Sequence, residues 1–438
     1  MIDNQTNIFE MLYETYKITK PIRLITLFSG YDSQALALKY LGVKFEHYKT
    51  CEWAIKSIQA LKDLHFENDN TDYSKELSTD EIKEYLFNKG ISNNYNDPMS
   101  KEQVSRLNEK QVRTIYNNIK ATRNLVNIQQ VKGDDLCIKD TKEFTYLLTY
   151  SFPCQDLSLA GKGKGMSDTT TRSGMLWEVE RILTECKEKP QILLMENVPQ
   201  VHGEGNKEDF NKWQFRLEEL GYKNYWQELI ATDYGIPQTR NRCFMISILG
   251  DYNYTFPKPI PLKLKLKDML EDNVDEKYYI DDDLLQHIIK TKKETPEYTQ
   301  YDRYNGEFEQ LCRVWKDKSP TLHTKSKYIK IYEYKKQLTE TLINVKNIEK
   351  TQMLDLYNRN AVADNLCQTV DMGYHNSMRL LHESRIRKLT PRECFRLMGV
   401  KDEDYDKIAK NQSDSSLYHL AGDSIVVNVL MAIFKELI

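Results

Sequence analysis

The chain has 438 residues and a net charge of −3, so it is long enough for more than one domain and has no overall basic signature of nucleic-acid binding. Its 40% hydrophobic and 29% charged residues are ordinary for a globular protein. The N-terminal stretch has no basic region leading into an apolar run, and the apolar stretches at 22–28 and 425–434 are shorter than the ~20 residues that cross a bilayer. A membrane or secreted class is therefore not expected, and a cytoplasmic location is.

The first element is the apolar run 22–28, of strand length. It ends at Ser29-Gly30-Tyr31-Asp32-Ser33, a turn with a helix N-cap, and a helical pattern follows over 34–41. A second strand at 45–51 ends at Glu52-Trp53. This β-turn-α-β opening begins a doubly wound α/β sheet. Residues 69–124, rich in Asn, Lys and Glu, read as an inserted helical region, partly mobile. Strands are expected at 125–131, 146–150, 191–195 and 243–248, with ligands beyond the carboxyl edge of a parallel sheet. After Gly250 the strand–helix alternation stops, and Lys and Tyr become frequent to about Leu380, which marks a second domain. Helical patterns return at 387–398 and 422–437, the last apolar enough to dock in a core.

The eight cysteines, at 51, 137, 154, 186, 243, 312, 367 and 394, form no CxxC pair. That gives no disulfide framework and no zinc ribbon, no metal is expected, and most of them should be small buried residues. Cys154 stands apart. It follows an apolar strand, between Pro153 and Gln155, at a turn where a cysteine can act as a thiolate. The loop after it, with Lys162 and Lys164 among glycines, has the composition of a basic lid over phosphates.

Other strand ends carry candidates as well. Phe28-Ser-Gly30 lets a ligand approach the backbone, but it is not GxGxxG, which argues against a nicotinamide cofactor. Glu52 could hold ribose hydroxyls, Trp53 could stack on a purine, and Asp134 could accept from an adenine amino group. Singly, each is as readily an ordinary turn or surface residue. Glu196, in Glu196-Asn197-Val198, ends an apolar strand where a carboxyl can hold its proton near neutrality. Gln238, Arg240 and Arg242 alternate, which puts them on one face.

In this order, PCQ at 153–155, ENV at 196–198 and QxRxR at 238–242 resemble the DNA cytosine-5 methyltransferases, over about 22–57, 130–250 and 385–438. The phrase LLTYSFPCQDLS at 147–158 is most similar to bacterial CpG-methylating members. The resemblance implies a Rossmann-like S-adenosylmethionine-dependent methyltransferase sheet with a smaller target-recognition domain. Residues 1–250 would be catalytic, 251–380 target-recognising, and 381–438 a return to the catalytic domain.

By the same resemblance, Cys154 attacks carbon 6 of a flipped cytosine, Glu196 serves ring nitrogen N3, Arg242 reaches the carbonyl, and Arg240 holds the loop or a phosphate. The donor site would use Phe28, Gly30, Tyr31, Glu52, Trp53, Asp134, Pro153, Leu176, Asp423 and Ser424. Gln155, Ser158, Lys162, Lys164 and Gln238 would meet DNA. So would a recognition-domain threonine, Thr369 in preference to Thr321 because it stands nearer 387–393. Lys263, Lys265 and Lys267 alternate and would share one face, on the groove or on a solvated edge strand.

Two positions depart from the family pattern: Asp32 where further glycines are usual, and Asp423 where Gly-Asn-Ser is usual. Duplex DNA is the expected partner of a monomer, with a cognate restriction endonuclease a further candidate. The alternatives are a tRNA cytosine-5 methyltransferase and a non-catalytic DNA-binding relative.

Overall fold

The apolar run after Pro21 forms β1 (Ile22–Leu27), one strand of a sheet that also contains β2 (Phe45–Cys51), β3 (Thr145–Tyr150), β4 (Ile192–Asn197), β5 (Tyr222–Ile230) and β6 (Asn241–Leu249). The computed structural model describes residues 14–153, 173–279 and 387–438, and the backbone of strand segments at 313–316, 330–333, 351–355 and 378–386. The strand order is β2-β1-β3-β4-β6-β5. The pairs from β2 to β4 are parallel, but β6 runs antiparallel to both β4 and β5. The sheet is therefore mixed, not wholly parallel as expected. The connection at 231–240 is too short for a parallel crossover, so β5 and β6 pair as neighbours of opposite direction. The first residues of β6 consequently lie at the same edge as the last residues of β1 to β4.

Successive residues of the central strands point into opposite cores. Leu147 and Leu194 join the core built on α1 (Ser33–Tyr40) and the last helix, whereas Leu148 and Leu193 join the core of α6 (Leu176–Glu185) and α7 (Lys207–Glu219). Both faces are covered, and every residue of β3 and β4 is buried, which is why neither alternates apolar with polar residues.

The strand expected at 125–131 does not form. Asn124 uses its side-chain amide on the backbone of Glu52, donating to its carbonyl at 2.9 Å and accepting from its N–H at 2.9 Å. The same oxygen accepts from Val126 N–H, whose φ is 70°, and a 3-10 turn follows at Ile128–Gln130. Side-chain bonds have replaced the ladder.

The insertion, expected to be partly mobile, folds as α3 (Thr79–Lys89), α4 (Lys101–Ser105) and α5 (Glu109–Ala121), following α2 (Ile55–His65). Each of the three begins with a reciprocal capping box, Ser78 with Glu81, Ser100 with Gln103 and Asn108 with Gln111. Ile82, Leu86, Val104, Val112 and Ile115 close a separate core with Ile58 of α2.

Beyond Gly250 the lysines of 263–267 are exposed, and Lys265 opens a 3-10 turn at Leu266–Met269 in place of the expected alternation. A second sheet contains β7 (Arg313–Lys316), β8 (Lys330–Glu333), β9 (Thr351–Asp355) and β10 (Met378–Lys388), in the order β7-β9-β10-β8. β10 passes the expected junction at 380 and ends at Lys388, so the helix expected from 387 starts at Pro391. There Thr390 and Glu393 form another capping box. This helix, α8 (Pro391–Arg396), is followed by α9 (Asp402–Ala409), α10 (Asp414–Asp423) and α11 (Val427–Leu437). The stretch Asp414–Leu437 is long and apolar enough to cross a membrane, more than 425–434 alone suggests. In the fold it is broken at Ser424–Val426, and 72% of its apolar window is buried.

Candidate active site

A cleft of about 680 Å³ opens at the carboxyl edge of the sheet. Its first wall is the turn after β1, where Phe28 (φ 58°) and Gly30 (φ 55°) both take left-handed conformations. Gly30 N–H donates to Glu52 at 2.9 Å, and Ala54 N–H donates to the same carboxylate at 2.8 Å. Burial outweighs these two bonds and pushes the Glu52 carboxyl up to about 7. Phe28, Trp53 and Tyr31 line the same wall, and Tyr31 donates to Ser424 Oγ at 2.9 Å.

Asp32 is buried beneath that turn and takes no part in lining the cleft. It accepts from Ala35 N–H at 3.0 Å and Thr26 Oγ1 at 3.2 Å, capping α1. The first departure from the family pattern thus serves the turn and not the ligand.

Three expected site residues lie elsewhere. Asp134 sits in a 3-10 turn with its side chain 78% exposed, because the strand meant to deliver it is absent. Val126, Asn127, Ile128 and Gln129 form that wall instead. Leu176 begins α6 and is buried in the core, so Met175 before it lines the cleft. Gln238 is fully buried and donates to Leu397 O at 2.6 Å, which corrects its assignment to DNA. It precedes β6, so strand alternation does not reach it.

The opposite wall carries the charged groups. Arg242 Nε lies 3.1 Å from Glu196 Oε1, both nearly buried. Burial raises the Glu196 carboxyl above its ordinary range, and Arg242 and then Arg240 pull it back. Arg240 donates to Gly422 O at 3.1 Å and Ser424 O at 2.8 Å, so it ties the end of the loop before β6 to the α10–α11 turn. Asn197 donates to Phe152 O at 3.0 Å, tying the end of β4 to the segment that ends at Pro153, itself on the cleft wall. Asp423 is half-exposed on the wall, with His419 Nε2 3.0 Å from its Oδ2. Cys154, Gln155, Ser158, Lys162, Lys164, Thr321 and Thr369 lie outside the described residues. Among the described residues, no three His, Cys, Asp or Glu side chains gather as metal ligands.

Residues 86–438 match the sequence model of the C-5 cytosine-specific DNA methylases. The chain belongs to that family. The methyltransferase is similar to the type II methyltransferase M2.ScrFI of Lactococcus lactis subsp. cremoris, 33% identical over 95% of this chain and 99% of the relative. It is also similar to the orphan methyltransferase M.SssI of Spiroplasma monobiae, 29% identical over 96% of this chain and 98% of the relative. Its fold is that of the Schizosaccharomyces pombe Dnmt2 methyltransferase, at a TM-score of 0.55 and 14% identity over 95% of this chain and 97% of the other. The chain is accordingly a DNA cytosine-5 methyltransferase of a family that uses S-adenosylmethionine. Asn127, Gln129, Tyr95, Asn96 and His419 also line the cleft. The motifs mark none of them. Asn127 and Gln129 could have been found from their place just after Asn124, had the strand not been assumed to continue.

Proposed function

We propose that the methyltransferase acts on a cytosine flipped out of a specific duplex sequence, with Cys154 as nucleophile, Glu196 serving N3 and Arg242 serving the carbonyl. The observation that supports this reading most is the buried Glu196–Arg242 pair in the cleft that Pro153 also lines. A carboxyl raised by burial and steadied by the guanidinium groups of Arg242 and Arg240 can share a proton with a ring nitrogen near neutral pH. The base must leave the stack to reach so enclosed an edge.

The cleft residues fit S-adenosylmethionine. Phe28 and Trp53 offer aromatic faces, Glu52 a buried carboxylate at the end of β2, and Gly30 a turn without a side chain. When bound, this donor supplies an electrophilic methyl group on a sulfonium. The chain's own residues do the rest. The Cys154 thiolate adds to carbon 6, breaking the ring's 5,6 double bond, while Glu196 and Arg242 stabilise the charge that develops on N3 and the carbonyl oxygen. After carbon 5 is alkylated, loss of its proton restores the double bond and expels Cys154 as thiolate.

In the same proposal residues 251–380 recognise the target, the second sheet extending this unit to Lys388, and the helices after it return to the catalytic domain. Duplex DNA is the partner of a monomer in the cytoplasm, and Thr369, Lys162 and Lys164 contact it. The type II relatives support pairing with a restriction endonuclease. The test is transfer of labelled methyl groups to duplex DNA, with covalent trapping on 5-fluorocytosine and bisulfite sequencing of plasmid from expressing cells. Labelling of tRNA alone would replace this reading with the RNA one. Binding of duplex without trapping would replace it with a non-catalytic one.

A further inference from the structure

The helical insertion reaches into the donor cleft at Tyr95. Two backbone bonds anchor its loop to the exit of β2: Ile55 N–H to Ser92 O at 2.9 Å and Ser92 N–H to Trp53 O at 2.8 Å. Asn94 Oδ1 then accepts from the N–H groups of Asn96 at 2.9 Å and Asp97 at 3.0 Å. This tight turn holds Tyr95 between them at φ 64°, a conformation that an aromatic residue rarely takes.

The ring so placed packs on His419, with centroids 3.5 Å apart and planes at 42°. His419 in turn has its Nε2 3.0 Å from the Asp423 carboxylate, within ion-pair distance but without hydrogen-bond geometry. The hydroxyl of Tyr95, buried beside Ser57 and Ser416, makes no hydrogen bond of good geometry, so the ring makes the contact that matters. Tyr95, His419, Asp423 and Glu52 all line the cleft.

We propose that Tyr95 is a positioning residue for the methyl donor: packed on His419, it keeps the Asp423 carboxylate facing the cleft to receive the donor's ammonium group. The insertion is then part of the donor site and not only an appendage of the sheet. This rests on the reading of the cleft as the S-adenosylmethionine site. A half-exposed carboxylate beside an imidazole can pair with a cationic amino-acid end, whereas the nucleoside end has no charge to offer it.

The test uses the full chain and calorimetric binding of S-adenosylmethionine, S-adenosylhomocysteine and 5′-methylthioadenosine, the last without the amino-acid end. Tyr95→Ala should weaken the first two about fivefold and leave methylthioadenosine unchanged, with Tyr95→Phe restoring affinity. Methylation kinetics should show a raised donor KM with kcat held. In an Asp423→Asn background Tyr95→Ala should cost no further affinity. If Tyr95→Ala proves unfolded by circular dichroism, His419→Gln should give the same ligand pattern. Unchanged donor affinity, or an equal loss with methylthioadenosine, overturns the proposal. A wild-type chain that binds none of the three ligands overturns the donor reading beneath it.

Discussion

Arg242 Nε stands 3.1 Å from Glu196 Oε1, across two strands of opposite direction whose register sets Glu196 against Phe244. Had β6 run parallel to β4, its first residues would have lain at the far edge of the sheet. The pair predicts a division between chemistry and donor binding. Glu196→Gln and Arg242→Ala should each lower kcat by roughly 10²–10³-fold while donor affinity, measured by calorimetry, stays within about twofold. Loss of donor binding in either variant would place the pair in the wrong part of the cleft.

Arg240 should behave differently although it is only two residues away. It holds the carbonyls of Gly422 and Ser424, and Ser424 also accepts from Tyr31. Arg240→Ala leaves those buried carbonyls without their donor, at a cost of about 1–3 kcal/mol to the local turn. Steady-state kinetics should show donor KM rising about tenfold or more, with kcat falling less. A fall in kcat alone would return Arg240 to the chemistry.

β3, which leads to Pro153, and β4, which carries Glu196, are legible in the sequence because both their faces are buried and their residues are mostly apolar on both. Direction was not legible, since a two-residue period is the same read either way. Pattern alone therefore leaves the antiparallel direction of β6 undetermined. Half-exposed β5 gave no such run, with only its first residue and Leu229 buried. Gln238 lies before the true start of β6, where alternation no longer governs direction, and Asp134 follows a stretch that forms no strand at all. Tyr95 and His419 could not have been paired from sequence, because only the fold brings positions so far apart into ring contact.

Arg387 and Glu393 form a second buried ion pair, where β10 hands over to α8. Arg387 donates to both carboxylate oxygens at 2.6 Å, and that carboxylate also accepts from the backbone of Thr390 and Glu271. Neither side chain is more than 1% exposed. Arg387→Ala leaves a buried charge unpaired, so urea denaturation should show a loss of about 3–5 kcal/mol. Arg387→Lys should recover only part of it, since an ammonium cannot form the two-pronged contact. An Arg387→Ala chain as stable as wild type would mean that the pair is not closed in solution.

Asp32 sets the last prediction. Its carboxyl is buried beneath the donor turn, and burial pushes it up to about 7 from an ordinary 3.8, despite the bonds from Ala35 and Thr26. A carboxyl whose folded value is raised binds more protons in the folded state. Its contribution is therefore most favourable at low pH and is lost as pH rises from about 4 towards 7. The nearby His47 and His65 are shifted down by burial and work in the opposite sense over the lower part of that range, so the wild-type profile alone mixes the effects. Asp32→Asn separates them, because the amide oxygen can still accept from Ala35 N–H but never carries charge. The Tm of Asp32→Asn relative to wild type should increase as pH rises through this window and level off above about 7. A difference independent of pH would mean that Asp32 keeps an ordinary carboxylate and that the cap under the donor turn is open to water.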